Sequence, residues 1–186
     1  MKKVVSMLLA LVFLLAIQSA SGEGVIVLSS PDADTQVAEG SLDDMQLNAQ
    51  VDLGDRIYTI TKADVSDEVV YEKDEDISSD DDSDIAAVWL QVFNFSNQEQ
   101  VYFKDAKVVV TFESERGPFQ FGGDIVQNFD NDRKWYRRDN FYEIAPLYNG
   151  SFVCYCRIPN YAVNNTGELK MEITEGQQTI TYYFRH

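Results

Sequence analysis

Apolar side chains recur at every second position in several short runs of this chain. Met45, Leu47, Ala49, Val51 and Leu53 alternate with Gln46, Asn48, Gln50 and Asp52. Ala106, Val108, Val110 and Phe112 oppose Lys107, Thr111 and Glu113. Leu169, Met171 and Ile173 oppose Glu168, Lys170 and Glu172, while Ile180, Tyr182 and Phe184 oppose Thr179, Thr181 and Arg185. Successive side chains of an extended chain point to opposite faces, so each run specifies a strand with one greasy face. Arg56 to Thr61, rich in Ile, Tyr and Thr, reads as a further extended segment. Ile85 to Phe95 departs from this pattern. Ala86, Val88, Leu90 and Val92 fall on one side, and Ala87, Trp89 and Phe93 on the other, which predicts a central strand covered on both faces. Turn-forming clusters separate the runs, among them Ser96-Asn97-Gln98, Arg116-Gly117-Pro118, Tyr148-Asn149-Gly150 and Asn164-Asn165-Thr166-Gly167. No segment carries a 3.6-residue stripe of helical length. The expectation is an all-β protein: an immunoglobulin-like antiparallel β-sandwich of about 7 to 9 strands.

With 186 residues, 45% of them apolar, the chain has material for one ordinary core and too little length for two comfortable domains. Lys2 and Lys3 precede an apolar run from Val4 to Ile17, the pattern of a signal-peptide hydrophobic region, followed by small residues around Ala20 and Gly22. The organisation expected is a signal peptide over 1–22, an N-terminal arm or linker over 23–44, and the sandwich over 45–186. Loss of the leader takes the net charge from −16 to −18. That sign excludes nucleic acid as a partner held by the overall field. No cysteine lies near the expected cleavage site to carry an acyl anchor, so the chain is expected to be secreted, with no stable membrane anchor. Cys154 and Cys156 stand two apart on an extended run, where side chains share a face but diverge along the chain, so both are expected as free thiols in the core beside Phe152 and Ile158. Asn94, Asn149 and Asn164 each head a glycosylation sequon, and we read them as turn chemistry.

Two stretches carry a family resemblance. One is Val88-Trp89-Leu90-Gln91-Val92-Phe93-Asn94-Phe95-Ser96-Asn97, followed by Val101 and Phe103. The other is Ile144-Ala145-Pro146-Leu147-Tyr148-Asn149-Gly150-Ser151-Phe152, continuing to Arg157-Ile158-Pro159 and a closing hairpin. Together they resemble the immunoprotective-antigen-like, immunoglobulin-type sandwich of Gram-positive secreted proteins and lipoproteins of unknown function, over roughly residues 45 to 186. The resemblance implies the fold and an extracellular setting. It brings no catalytic residues, and this chain lacks the anchoring cysteine of the lipoprotein members.

Two charge anomalies carry the candidate sites. Asp64 to Asp84 holds eleven acids and one lysine, ending in Asp80-Asp81-Asp82-Ser83-Asp84. Mutual repulsion predicts a disordered acidic loop, and Asp80, Asp81, Asp82 and Asp84 are the candidate ligands should the run take a cation, with calcium the hard cation that suits clustered carboxylates. The opposite anomaly is Arg133-Lys134-Trp135-Tyr136-Arg137-Arg138, four cations and two aromatics in an acidic protein, a candidate patch for an anionic polymer, a sugar or an acidic partner.

Catalytic motifs are thin. The single histidine is His186, no Gly-x-Ser-x-Gly elbow occurs, and no Cys/His set has zinc spacing. Among 31 acids any chosen carboxylate pair is uninformative. The expectation is not an enzyme but a secreted, noncatalytic binding module of the bacterial cell envelope or extracellular space, engaging a protein surface or cell-wall polymer through loops at one end of the sandwich. A small extracellular glycan-acting enzyme and a calcium-dependent structural protein are the alternatives.

Overall fold

The computed structural model describes residues 41–72, 75–128 and 143–186. The expected signal peptide, most of the expected arm and the basic cluster at 133–138 lie outside the described residues. Among those described, eight strands form one antiparallel sheet: β1 (Gln50–Asp52), β2 (Arg56–Ser66), β5 (Ser83–Asn94), β10 (Asn149–Pro159), β8 (Gly117–Asn128), β7 (Lys107–Ser114), β11 (Leu169–Glu175) and β12 (Gln178–Arg185), in that spatial order. Two small ribbons accompany it, β3 (Glu68–Glu72) with β4 (Glu75–Ser78), and β6 (Gln100–Val101) with β9 (Glu143–Ile144). A five-residue helix, Asn160–Asn164, follows β10. No helix among the described residues is long and apolar enough to cross a membrane.

The sheet is curled upon itself, because the inward residues of all its strands meet in one core. Val51, Ile60, Val88, Leu90, Val110, Phe112, Phe152, Met171 and Ile180 all belong to that cluster, with Phe121 and Ile125 of β8 packed against it. The two layers are therefore halves of one surface, and β8 is the corner they share. Its first half, Gly117 to Gly123, pairs with β7; its second, Asp124 to Asn128, pairs with β10. Gly123 stands on the inner side of the bend. A Cβ there would run into the Tyr155 carbonyl oxygen, Cys156 Cβ and Val108 Cγ1, whereas one on Gly122 would meet nothing. Strands that change layer do so at such bends.

The opposite seam is closed by the stretch ahead of β1. The Met45 N–H donates to the Thr181 carbonyl at 2.9 Å, the Thr181 N–H donates to the Leu42 carbonyl at 2.7 Å, and the Asn48 N–H donates to the Ile60 carbonyl at 2.8 Å. Residues 42–48 thus stitch β12 to β2. The alternation from Met45 to Leu53 predicts a continuous strand, and the structure differs. Met45 is fully buried, Leu47 is exposed, Asn48 takes the left-handed conformation with φ 62°, and only Gln50–Asp52 pairs as a strand. Asparagine tolerates that conformation better than most residues, and the break lets one short segment bond to two edges.

β5 is central, as its two apolar faces demand. Ala86, Val88, Leu90 and Val92 enter the main core. Ile85 and Ala87 form a second cluster on the outer face with Val153 and Val69, against which Ile77, Trp89, Val126 and Tyr155 pack. Val69 and Ile77 belong to the β3–β4 hairpin. The acidic run is accordingly not the disordered loop its charge predicts: it supplies the end of β2, that hairpin and the start of β5. Docking two apolar side chains on the outer face offsets the repulsion of neighbouring acids such as the exposed Asp67 and Glu68. Arg157 Nη2 secures the hairpin's base, donating to the Ser78 carbonyl at 2.8 Å.

Both cysteines are buried and unpaired, on the inner face of β10. Burial raises both thiols, Cys156 to about 11.

The corner makes a differential prediction. Gly123→Ala forces its methyl against backbone and should cost on the order of 1–3 kcal/mol, whereas Gly122→Ala should stay within about 0.5 kcal/mol of the parent. Urea denaturation midpoints of the two variants decide it, and equal midpoints would contradict the corner's geometry.

Candidate functional site

One end of the sandwich is built around Asn94, the last residue of β5. Its side chain is fully buried, and among the described residues only Thr111 and Thr181 join it as buried polar residues. Both amide hydrogens are used: Nδ2 donates to the Gln98 carbonyl at 2.9 Å and to the Ile144 carbonyl at 2.8 Å. Oδ1 accepts from the Ser96 N–H at 3.0 Å and from Ser96 Oγ at 2.7 Å. The Asn94 N–H donates to the Tyr148 carbonyl at 3.0 Å, and its own carbonyl accepts from the Leu147 N–H at 2.8 Å. Asparagine alone among the standard side chains, with glutamine, offers two donors and two acceptors in one plane, and every one is satisfied here. Turn chemistry was the expectation for this sequon, and burial of the amide leaves no room for a glycan on it.

This pin fixes two loops side by side, 95–99 and 145–148, and they carry exposed apolar side chains. Phe95 is 57% exposed, Leu147 is 65% exposed, and Val101 and Tyr148 are also exposed. The Phe95 ring lies 5.8 Å from that of Phe93. Leu147 holds a left-handed backbone, φ 62°, without the excuse of being glycine or asparagine. At the rim the Glu143 carboxyl raises the Glu99 carboxyl above its usual range. Among the described residues neither is ion-paired with Lys or Arg.

Beside this surface the β1–β2 turn is fastened by a polar cluster. The Phe95 N–H donates to the Asp55 carbonyl at 2.8 Å. Arg56 grips the Asp55 carboxylate through Nε at 3.0 Å and Nη2 at 2.9 Å, and that hydrogen bonding holds the Asp55 carboxyl below its usual range. Arg56 Nη1 donates to Tyr58 Oη at 3.4 Å and lies 4.0 Å from Glu175 Oε2. Glu175 Oε1 accepts the backbone N–H of Phe103, another residue in the left-handed region. The guanidinium sits 5.3 Å from the Tyr102 ring centroid. The Tyr102 hydroxyl is buried without a hydrogen-bond partner among the described residues. Burial is the largest cause pushing Tyr58 up to about 12. Nε, Nη1 and Nη2 each donate within the cluster, and the part of Arg56 is to join the β1–β2, β6–β7 and β11–β12 turns.

The candidate cation ligands lie at the other end, where β5 begins. Asp80 Oδ1 accepts the Ser83 hydroxyl, which holds that carboxyl below its usual range. The backbone carbonyls of Asp81 and Asp82 accept from Asn160, through Nδ2 at 3.1 Å and the N–H at 3.0 Å. Asp84 pairs across the ladder with Ile158. The structure does not gather Asp80, Asp81, Asp82 and Asp84 into one donor set, and no group of three His, Cys, Asp or Glu side chains suited to a metal occurs among the described residues. Arg133, Lys134, Trp135, Tyr136, Arg137 and Arg138 lie outside the described residues. Sequence reasoning read the turn chemistry of Asn94 but missed the surface it anchors, since no local signal marks Phe95 and Leu147 as exposed.

No family profile matches the sequence, and no curated protein matches it. Solved structures do. An uncharacterised beta-sandwich protein from Clostridium difficile 630 superposes with a TM-score of 0.62 at 11% identity, covering 77% of this chain and 94% of that one. A conserved hypothetical protein from Bacillus anthracis superposes with a TM-score of 0.50 at 12% identity, covering 74% and 94%. At such identity the likeness is one of fold, and the fold is a β-sandwich shared with uncharacterised proteins of Gram-positive bacteria.

Two measurements check this end. Asn94→Asp replaces two donors by a charge facing two carbonyls and should cost on the order of 2–5 kcal/mol, read from urea denaturation at pH 7. The raised Tyr58 gives an alkaline limit. Its contribution is fully present below pH 10, the ordinary value, and is lost as pH rises toward about 12. Tyr58→Phe should therefore flatten the fall in stability across that window, and an unchanged profile would assign the fall to other groups.

Proposed function

We propose that this chain is a secreted, noncatalytic binding module of the Gram-positive cell envelope or extracellular space, of the immunoprotective-antigen-like immunoglobulin type, which engages a partner through the loops pinned by Asn94. The observation that carries the reading is Leu147. A leucine in the left-handed region costs roughly 1–2 kcal/mol, and at 65% exposure its side chain returns almost nothing to the fold. A side chain held at such cost on an ordered surface, next to exposed Phe95, is explained by contact with something outside the chain.

The test has two arms. Expressed in a Gram-positive host, the protein should be recovered from the medium or wall fraction with a mass lacking residues 1–22; retention in the cytosol with the leader uncut would overturn the secreted reading. Pull-downs from wall and secreted fractions should then compare the parent with the double variant Phe95→Ser, Leu147→Gly. The variant should melt no lower than the parent, because Leu147→Gly relieves strain, and should lose at least tenfold of the recovered partner. Equal recovery by both proteins would remove this surface as the binding site.

A further inference from the structure

The end of the sandwich away from Asn94 carries two exposed aromatic rings among acids. Tyr161, on the short helix, is 62% exposed, and Phe119 is 46% exposed. Both adjoin the buried Phe112, whose ring lies 6.1 Å from that of Tyr161 and whose partner across the β7–β8 ladder is Phe119. Asn160 bolts the helix to the turn at the start of β5 through the backbone of Asp81 and Asp82, so the exposed Asp80, Asp81 and Asp82 belong to the same surface as the Tyr161 ring. Exposed Glu113 and Glu115 follow Phe112 along the chain. Acids by themselves would make a solvated face. Rings standing in solvent among them make a surface suited to cations that stack.

The chain itself holds a segment of that chemistry. Arg133-Lys134-Trp135-Tyr136-Arg137-Arg138, outside the described residues, has four cations and two aromatics, with Asp132 and Asp139 flanking the run. The chain leaves the described residues after Asn128, which pairs with Ser151, and returns at Glu143, which pairs with Val101 beside the Ile144 carbonyl bonded to Asn94. Both anchors therefore stand at the Asn94 end. Arg133 comes five residues after Asn128, and Arg138 comes five before Glu143. Five fully extended residues span at most about 18 Å. From Ser151 to Pro159, which pairs with Ser83 beside the acidic turn, β10 runs eight residues, or about 26 Å. Neither arginine can be carried to Asp81 of its own molecule.

We infer that the Tyr161 face is a docking site for a second copy of the chain, which presents residues 133–138 from its opposite end: guanidinium groups on the Asp81 and Asp82 carboxylates, and a cation or ring on Tyr161. The contact joins two unlike surfaces, so copies add head to tail into a ring or a filament. The net charge of −16 opposes association in general, and the attraction is local to this pairing. The inference stands apart from the partner reading above, which concerns Phe95 and Leu147.

Sedimentation velocity on protein expressed from the full chain, across the micromolar to millimolar range, tests it. The parent should sediment as progressively larger species as concentration rises. Two variants break opposite halves of the contact. One is Arg133→Ser, Lys134→Ser, Arg137→Ser, Arg138→Ser; the other is Asp81→Asn, Asp82→Asn, Tyr161→Ser, with Asp80 kept because its carboxyl takes the Ser83 hydroxyl. Each alone should associate at least tenfold more weakly than the parent. Mixed in equal amounts, they retain one sound half apiece and should form a dimer that grows no further. The control Asp43→Asn, Asp105→Asn removes two exposed acids elsewhere and should associate as well as the parent or better, because it lowers the general repulsion. Should Tyr161→Ser melt below the parent, Asp81→Asn, Asp82→Asn with Tyr161 retained takes its place, since the backbone carbonyls that Asn160 bonds are unchanged. A parent that stays monomeric throughout, an acidic-face variant that assembles like the parent, equal losses in that variant and the control, or a mixture that remains monomeric would each overturn the inference.

Discussion

β5 is apolar on both faces, and a strand of that kind cannot border solvent on either side. The rest of the architecture answers this requirement. On the inner face the sheet must curl until its own far half covers Val88 and Leu90, which calls for a corner and a seam. Gly123 provides the corner, where a side chain would collide with the neighbouring backbone. Thr181, bonded to Leu42 and Met45, provides the seam. On the outer face Ile85 and Ala87 need a smaller cover, and the β3–β4 hairpin lays Val69 and Ile77 over them. Burial on two sides also explains why β5 can end in a buried asparagine. Its neighbour β2 runs alongside to Asn94 and β10 to Phe93, so the Asn94 amide emerges where two loops need a common anchor.

The two ends of β5 differ in what they offer. At the start, acidic side chains surround a turn held by Ser83 at the Asp80 carboxyl and by Asn160 at the backbone of Asp81 and Asp82. At the finish, apolar side chains stand in solvent on a backbone held by six hydrogen bonds to Asn94. Rigidity and exposure together are what a recognition surface requires, since an ordered patch spends less entropy on meeting its partner. The Arg56 cluster lends the same end further stiffness by tying three turns to one guanidinium.

The strands with one apolar face were readable because alternation is a local property. β7, β11 and β12 appear where Ala106 to Glu113, Glu168 to Ile173 and Thr179 to Arg185 place them. β8 was not readable. Gly117, Pro118, Gly122 and Gly123 look like turn signals one by one, and only the tertiary bend turns the last of them into a requirement of a strand. The acidic run was misjudged for a related reason: charge density dominates its composition, while its structure rests on Val69 and Ile77 finding a surface contributed by residues far along the chain. At the site, the turn chemistry of Asn94 was legible and its burial was not. Ile144 lies 50 residues away, and no spacing rule joins them.

Cys154 and Cys156 share the inner face of one strand, two residues apart, and the chain has no others. They point the same way without being able to reach each other, so oxidation has no internal route to a disulfide that leaves β10 extended. An oxidant that catches the sheet open can cap a sulfur or join two molecules. The joining path is second order in opened chains, which makes loss of this protein under oxidising conditions a matter of crowding as much as of heat. A dilute sample survives transient openings that a concentrated one records as covalent dimers.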